Sequence, residues 1–277
     1  MSHEASRRTF LGTAALLAAG SSAVRAEPKA SSLKLGLCSY TFGGKTRLAD
    51  AMPFIKLARV RYINIKPEFH LPYDSSPAQI AEMKRLLDDN GLILAGTGAT
   101  YLQKPDAAQI RQRFEFNKAL GSPLIVIGPT VETLPLIEKC VKEFDIKVAI
   151  HNHGPSDKYF PTPQSALAAI KGMDPRVGLS MDIGHTMRSG VDPVVAAREA
   201  GPRLLDIHSK DVKKNSAGQW VSADCGDGDL DLPGLFRQLM KMRFQGACNL
   251  EYEDKDDEKH GGMERSIAYL RGIAATV

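Results

Sequence analysis

Eight short apolar runs, each followed by a segment with helical residue spacing, constrain the fold of this chain more than any other feature. Alternating strand and helix patterns are typical of α/β proteins with a parallel sheet. Eight such units in about 245 residues fit a single (β/α)8 TIM barrel, which we expect over residues 27–277. The predicted strands are Leu33–Cys38, Tyr62–Ile65, Leu92–Ala95, Leu124–Ile127, Lys147–Ile150, Val177–Met181, Leu204–Ile207 and Ala247–Leu250.

Helix start and stop signals separate these runs. Ser76 can cap a helix that has Pro77 in its first turn, and Asn90-Gly91 ends that helix. Other helices are predicted at Leu48–Ala58, Pro105–Leu120, Val131–Phe144, Thr162–Lys171, Val191–Ala200, Pro233–Met242 and Glu264–Ala275, with a long loop at Lys213–Asp229. The alternative, an open doubly wound sheet, is disfavoured because Gly96-Thr97-Gly98 lacks the third glycine of a dinucleotide-binding turn.

The first 26 residues have the pattern of a cleavable export signal rather than of a folded domain. Arg7-Arg8 precedes a short run of Ala, Leu and Gly, and Val24-Arg25-Ala26 offers a small-residue cleavage point. The apolar run is shorter than the roughly 20 residues that span a bilayer, so we expect no membrane anchor. The sequence therefore predicts a twin-arginine (Tat) signal, passage through the Tat translocon, and a periplasmic or secreted protein that begins near Glu27.

Net charge and cysteine usage disfavour two classes of protein. The formal net charge is +4, and this scattered surplus is too small to indicate a nucleic-acid-binding surface. Four dispersed cysteines without Cys-x-x-Cys spacing are not a disulfide framework. Cys38 and Cys248 fall on the first and last strands, which are neighbours in a closed barrel. A bridge between them is one alternative, and buried free thiols are the favoured one.

Metal-capable and acid–base side chains are concentrated directly after the predicted strands. Catalytic residues of TIM barrels lie at the carboxyl ends of strands, so these side chains should share one rim. They are Glu68, His70, His151, His153, Asp182, His185, His208, Lys210, Asp211, Glu251 and Glu253. Five of the six histidines beyond residue 26 are among them, which favours a functional site over scattered structural histidines.

One residue from each of four adjacent strands could surround a single metal ion. The natural set is His151, Asp182, His208 and Glu251. Imidazole and carboxylate together suit Mn²⁺, Zn²⁺, Co²⁺ or Fe²⁺, whereas Mg²⁺ prefers oxygen ligands alone. We expect Asp211 to orient a neighbouring group or to cap a loop.

Four motifs at the later strand ends carry a family resemblance. They are Asp182-Ile183-Gly184-His185, His208-Ser209-Lys210-Asp211, Gly226-Asp227-Gly228-Asp229 and Leu250-Glu251-Tyr252-Glu253. They resemble the sugar phosphate isomerase/epimerase superfamily, the xylose-isomerase-like barrels. The resemblance implies one divalent ion, Mn²⁺ before Zn²⁺, Co²⁺ or Fe²⁺, held by residues from strands five to eight. The family pattern on strand five is Glu-Asn-His-Gly, whereas this chain has His151-Asn152-His153-Gly154, so its first ligand would be a histidine.

The same resemblance implies an enzyme that isomerises or epimerises a sugar or keto-sugar through a metal-stabilised enediolate. Glu251, His151 and Lys210 would be catalytic, and Glu68, His70, His153 and His185 would bind the substrate. Because His151 replaces a carboxylate of the family's proton-shuttling pair, two alternatives stay open. One is a keto-sugar lyase or dehydratase similar to inosose dehydratase, and the other is a non-catalytic sugar- or metal-binding barrel. The expected partner is a small carbohydrate, and a homo-oligomer also stays open.

Overall fold

Eight parallel strands close into a barrel in the computed structural model of this chain, which describes residues 33–253 and 259–277. The strands are β1 (Lys34–Cys38), β2 (Tyr62–Ile65), β3 (Ile93–Leu102), β4 (Leu124–Pro129), β5 (Lys147–His151), β6 (Val177–Asp182), β7 (Leu204–Ser209) and β10 (Ala247–Leu250). β1 pairs with both β2 and β10, with Leu35 opposite Cys248, so the sheet closes on itself. The predicted single TIM barrel is confirmed, and the predicted signal at residues 1–26 lies outside the described residues.

Helices connect the strands and cover the barrel. They are α1 (Leu48–Ala58), α2 (Pro67–His70), α3 (Pro77–Asp89), α4 (Ala107–Leu120), α5 (Leu134–Phe144), α6 (Pro163–Ala169), α7 (Ile183–Arg188), α8 (Pro193–Ala200), α9 (Leu232–Lys241) and α10 (Lys259–Ala274). α3 begins where predicted, because Ser76 accepts a hydrogen bond from the Gln79 backbone N–H and the Gln79 side chain accepts one from Ser76 N–H. Across residues 33–253 and 259–277, no helix has the length and hydropathy needed to cross a membrane.

Several segments differ from the sequence prediction. The predicted helix at Val131–Phe144 starts with a 3₁₀ turn, Val131–Thr133, capped by Thr130, and α5 follows it. β3 continues past the predicted end at Ala95 to Leu102. α2 begins after Lys66, one residue beyond the end of β2, and α7 follows β6 directly. Neither was predicted, because helices this short show no apolar periodicity.

The predicted loop at Lys213–Asp229 contains most of a hairpin. Its strands β8 (Asp211–Lys214) and β9 (Trp220–Ala223) pair antiparallel, with Lys214 opposite Trp220. The Asp211 carboxylate then accepts hydrogen bonds from the backbone N–H groups of Val212, Gly226, Gly228 and Leu230. Asp211 therefore caps a loop, which is one of the two roles that the sequence left open for it.

The barrel interior is polar where β6, β7 and β10 meet. Ser180, Asp206 and Asn249 are almost completely buried there and are joined by hydrogen bonds across the strands. The apolar residues that alternate with them, such as Leu179 and Ile207, belong to the hydrophobic core instead. This alternation places polar side chains directly beneath the carboxyl ends of the strands.

The four cysteines are free thiols and all are buried. Cys38 on β1 and Cys248 on β10 form no disulfide, although their strands are neighbours. The favoured interpretation of the sequence, buried free thiols, is the one the structure shows.

Candidate metal centre

The four predicted metal ligands form one buried cluster at the carboxyl ends of the strands. His151 ends β5, Asp182 ends β6, His208 lies near the end of β7, and Glu251 follows β10 directly. One potential ligand atom from each residue lies within 4.8 Å of every other. The structure therefore brings together side chains that are separated by up to 100 positions in the sequence.

Two nitrogen and two oxygen atoms converge in this cluster. His151 Nε2 lies 3.1 Å from His208 Nδ1 and 3.6 Å from Asp182 Oδ2. His208 Nδ1 lies 3.3 Å from Glu251 Oε2. A mixed set of imidazole and carboxylate donors is typical of sites for divalent transition-metal ions.

Asp182 supports a metal site at this cluster, because its two carboxylate oxygens have different partners. Oδ1 accepts a hydrogen bond of 2.7 Å from the His185 backbone N–H, which caps the start of α7. Oδ2 accepts no hydrogen bond from the described residues and meets Lys210 as an ion pair. A buried carboxylate oxygen turned toward three other ligand atoms fits a divalent metal ion.

Lys210 is a buried cation beside the same cluster. Its Nζ lies 2.9 Å from Asp182 Oδ2, 2.9 Å from Glu251 Oε2 and 3.0 Å from Glu253 Oε1. Burial lowers the pKa of Lys210, but the three carboxylates outweigh burial and raise that pKa well above its usual value. Lys210 is therefore a charged donor rather than a base.

The two buried imidazoles of the cluster differ in charge. Burial and the neighbouring His208 lower the pKa of His151 to about 4, so His151 is neutral at pH 7. Burial also lowers the pKa of His208, but Cys38 and Glu251 raise it more, and it lies well above its usual value. Because burial raises the pKa of Cys38 to about 12, its thiol is neutral at pH 7, and Glu251 is the anionic partner of His208.

Glu251 is held as a carboxylate. Its burial raises the pKa of this group, but Lys210 and His208 outweigh burial and lower that pKa well below its usual value. Glu251 is 8% exposed at the mouth of the barrel, which is the open end formed by the carboxyl ends of the strands. As an ionised carboxylate it can accept a proton from a bound molecule.

Two of the residues predicted to bind substrate lie next to the metal ligands. The ring centroids of His153 and His185 are 4.9 Å apart, and they lie 5.2 Å and 6.2 Å from the ring of His151. Asn152, which lies between His151 and His153 in the sequence, fixes this region by donating to Thr186 Oγ1 and accepting from the Asp182 backbone N–H. The β5 and β6 side of the mouth therefore presents partly exposed imidazoles.

The other two predicted substrate-binding residues lie on α2, apart from this histidine cluster. His70 Nε2 lies 3.0 Å from the Ser39 carbonyl oxygen, and burial lowers the pKa of His70. Glu68 is exposed and pairs with Lys66, whose Nζ lies 3.4 Å from Glu68 Oε2. A substrate-binding role for Glu68 and His70 stays a prediction.

Sequence reasoning missed two tyrosines near the mouth. Tyr40 is 41% exposed and stacks on Phe69, and Tyr101 is 49% exposed with its hydroxyl 3.4 Å from His153. Burial and the charge of Glu251 raise the pKa of Tyr101 to about 12, and burial, Glu253 and Glu251 raise that of Tyr40. Tyr40 lies two residues after the end of β1, so the strand-end rule alone could have identified it.

A sequence model of the xylose isomerase-like TIM barrel family matches residues 60–273. Over 163 aligned residues the chain is 28% identical to the protein YfiH of Bacillus subtilis. This alignment covers 50% of this chain and 51% of YfiH. Over 144 aligned residues it is 30% identical to inosose dehydratase of Clostridium tetani, and this alignment covers 47% of each chain. The chain thus matches about half the length of these two relatives.

Solved structures share the fold at lower sequence identity. The 3-keto-D-glucoside 4-epimerase YcjR of E. coli superposes with a TM-score of 0.71 at 18% identity, covering 87% of this chain and 99% of YcjR. At this identity the likeness shows the barrel fold alone.

Proposed function

Because this chain belongs to the xylose isomerase-like TIM barrel family, we propose that it is a metal-dependent isomerase or epimerase of a sugar or keto-sugar. The observation that carries the proposal is the buried cluster of two histidines and two carboxylates, with the ionised Glu251 among them. Mn²⁺ is the ion we favour, with Zn²⁺, Co²⁺ and Fe²⁺ as alternatives.

A divalent ion bound at this cluster would supply Lewis-acid polarisation of a carbonyl and a neighbouring hydroxyl. His151, Asp182, His208 and Glu251 would hold that ion. Glu251 would remove the proton from the carbon beside the carbonyl. The Lys210 ammonium, 2.9 Å from Glu251, would stabilise negative charge that develops on the substrate.

Return of the proton requires a second group on the opposite side of the substrate. His151 is a poor candidate, because an imidazole that binds a metal has already donated its lone pair. His153 and His185 follow β5 and β6, whereas Glu251 follows β10 on the other side of β7, and both imidazoles are partly exposed. We propose that one of these two imidazoles exchanges the proton in an isomerisation or epimerisation.

A second candidate function is a keto-sugar lyase or dehydratase. One observation favours it: His151 occupies the strand-five position where the family that the sequence resembles carries a carboxylate. A single carboxylate base opposite imidazoles suits removal of one proton and protonation of a departing hydroxyl. The similarity to inosose dehydratase of Clostridium tetani supports the same reading.

We further propose that the protein acts on a small carbohydrate in the periplasm or outside the cell. Support for this location is the twin-arginine pattern in residues 1–26.

The test uses the purified protein loaded with Mn²⁺ or Zn²⁺ and a panel of keto-sugars in deuterated water. We expect about one ion per chain and deuterium incorporation beside the carbonyl. Glu251→Gln should lower the exchange rate by about 100-fold or more, because it removes the base. Glu82→Gln, an exposed position on α3, is the matched control and should exchange at the parental rate.

Three outcomes separate the candidates. Exchange with the carbon skeleton and hydroxyls intact supports an isomerase or epimerase. Loss of water or of an alkoxide group supports the lyase. A protein that binds no divalent ion, or a Glu251→Gln variant with parental exchange, contradicts the proposal.

A further inference from the structure

Asp206 is a buried carboxylate for which the proposed chemistry has no role. It lies on β7 two residues before His208, so both side chains point to the same face of the strand, into the barrel. Asp206 Oδ2 lies 3.4 Å from His208 Nε2, and both residues are about 1% exposed. The carboxylate thus lies directly beneath a predicted metal ligand.

Neighbouring strands hold the carboxylate of Asp206 in place. Ser180 on β6 donates its hydroxyl hydrogen to Oδ2 at 2.8 Å, and Asn249 on β10 donates from Nδ2 to Oδ1 at 2.8 Å. These two neutral donors fix the plane of the carboxylate but carry no charge. A buried carboxylate is costly unless a charged or strongly polar donor pairs with it, and His208 Nε2 is the group placed to do so.

The two ring nitrogens of His208 face different surroundings. Nδ1 faces the cluster, 3.1 Å from His151 Nε2 and 3.3 Å from Glu251 Oε2, whereas Nε2 faces Asp206. An imidazole binds a metal through the nitrogen that carries no hydrogen. If the carboxylate keeps the imidazole hydrogen on Nε2, the Nδ1 lone pair is left for the ion.

We propose that Asp206 is a positioning residue, held by Ser180 and Asn249, that orients His208 and reserves its Nδ1 for the metal ion. This inference rests on the metal site of the proposed function but not on the sugar chemistry. The Cys38 thiol also contacts the imidazole, but a thiol is a weak acceptor and cannot replace the carboxylate. Such carboxylate–histidine contacts orient ligands and raise their affinity for metals.

Asp206→Asn tests this role, because it keeps the shape of the side chain and removes its charge. In calorimetric titrations of the full chain with Zn²⁺, we expect the Kd of the variant to rise by about 10- to 100-fold. Nitrogen NMR of the zinc-loaded parent should show the hydrogen of His208 on Nε2, and Asp206→Asn should weaken or lose this preference.

Asp174→Asn is the matched control. Asp174 is another shielded aspartate, paired with Arg176 at 2.8 Å, but it lies before β6 at the opposite end of the barrel. The Asp174→Asn substitution should lower the melting temperature and leave the Kd for Zn²⁺ unchanged, whereas Asp206→Asn should raise that Kd. A purely structural Asp206 would behave like Asp174.

Parental Zn²⁺ affinity in Asp206→Asn would overturn the inference. If that variant does not fold, Ser180→Ala provides the second measurement, and its Kd should rise by about fivefold, the equivalent of one hydrogen bond. An unchanged Kd in Ser180→Ala then contradicts the role. Failure of this inference can be distinguished from failure of the proposed sugar chemistry. If the parental protein binds Zn²⁺ but exchanges no substrate proton, the Kd values of the parental protein and its variants can still be compared.

Discussion

Among the predicted metal ligands, His151 is the one that departs from the Glu-Asn-His-Gly pattern that the family resemblance implies on strand five. It supplies a neutral donor at pH 7, because burial and His208 lower its pKa to about 4. A glutamate at this position would supply a third negative charge beside Asp182 and Glu251. The histidine thus removes one unit of negative charge from the predicted ligand set and would supply a softer ligand.

His151→Glu should therefore shift metal preference. Carboxylate favours Mn²⁺ relative to Zn²⁺, so we expect the ratio of the two dissociation constants to move toward Mn²⁺ by about tenfold. The metal-free variant should also melt at a lower temperature, because a third carboxylate is buried without a partner. Competitive titration with the two ions measures the ratio, and His151→Gln is the control that adds no charge. An unchanged ratio would contradict a ligand role for His151.

At the residue scale, sequence reasoning identified side chains whose chemistry shows in their type. The predicted quartet was found because His and Asp or Glu at strand ends are metal-capable regardless of neighbours. Asp206 was missed because in sequence it is one polar residue inside an apolar run, and its meaning depends on contacts across strands. Tyr101 was missed because β3 extends past its predicted end.

At the element scale, the β8–β9 hairpin and the loop after it depend on one carboxylate. Four backbone N–H groups point to Asp211, and Gly228 leaves the space for this contact. A Cβ atom on Gly228 would lie 2.0 Å from Asp211 Oδ1. No periodic pattern marks such a loop, so its fold could not be predicted from the sequence, although the strands and longer helices around it could.

Gly228→Ala should displace the Asp211 carboxylate and loosen this loop. We expect a loss of about 1–3 kcal/mol in the free energy of unfolding and faster hydrogen exchange at the N–H groups of Gly226 and Leu230. Denaturant unfolding and exchange mass spectrometry measure the two effects.

Gly272→Ala is the control for that variant. It lies in α10 with no heavy atom within 4 Å of an added Cβ, so stability should stay the same or rise by up to about 1 kcal/mol. Equal stability of Gly228→Ala and the parent would show that the Asp211 contact does not hold the loop.

At the scale of the whole molecule, the two ends of the barrel differ in where their ion pairs lie. The end with the candidate metal centre buries its carboxylates around Lys210, whereas the opposite end has the surface network of Asp174, Arg176 and Asp145. The Arg176 side chain and backbone N–H hold the pKa of Asp174 well below its usual range. The barrel itself could be predicted because eight apolar runs are a global pattern, but this network depends on the geometry of loops.

The Asp174 network should contribute to stability above the ordinary aspartate pKa of about 4 and lose that contribution as pH falls below it. The sign follows from a folded-state pKa that lies below the unfolded one. Asp174→Asn should therefore melt below the parent at pH 7, and the difference should shrink toward pH 2. Melting temperatures across this range provide the measurement, and a difference independent of pH would exclude the carboxylate as its source.

Lys210 has a consequence for the order of assembly. Its ammonium contacts two of the predicted ligand carboxylates, so these groups have a counter-ion before any metal arrives. Small zinc domains that lack such an internal cation acquire their structure only when the metal binds. In this barrel Lys210 already pairs with the two carboxylates, so we expect the chain to fold without a metal ion.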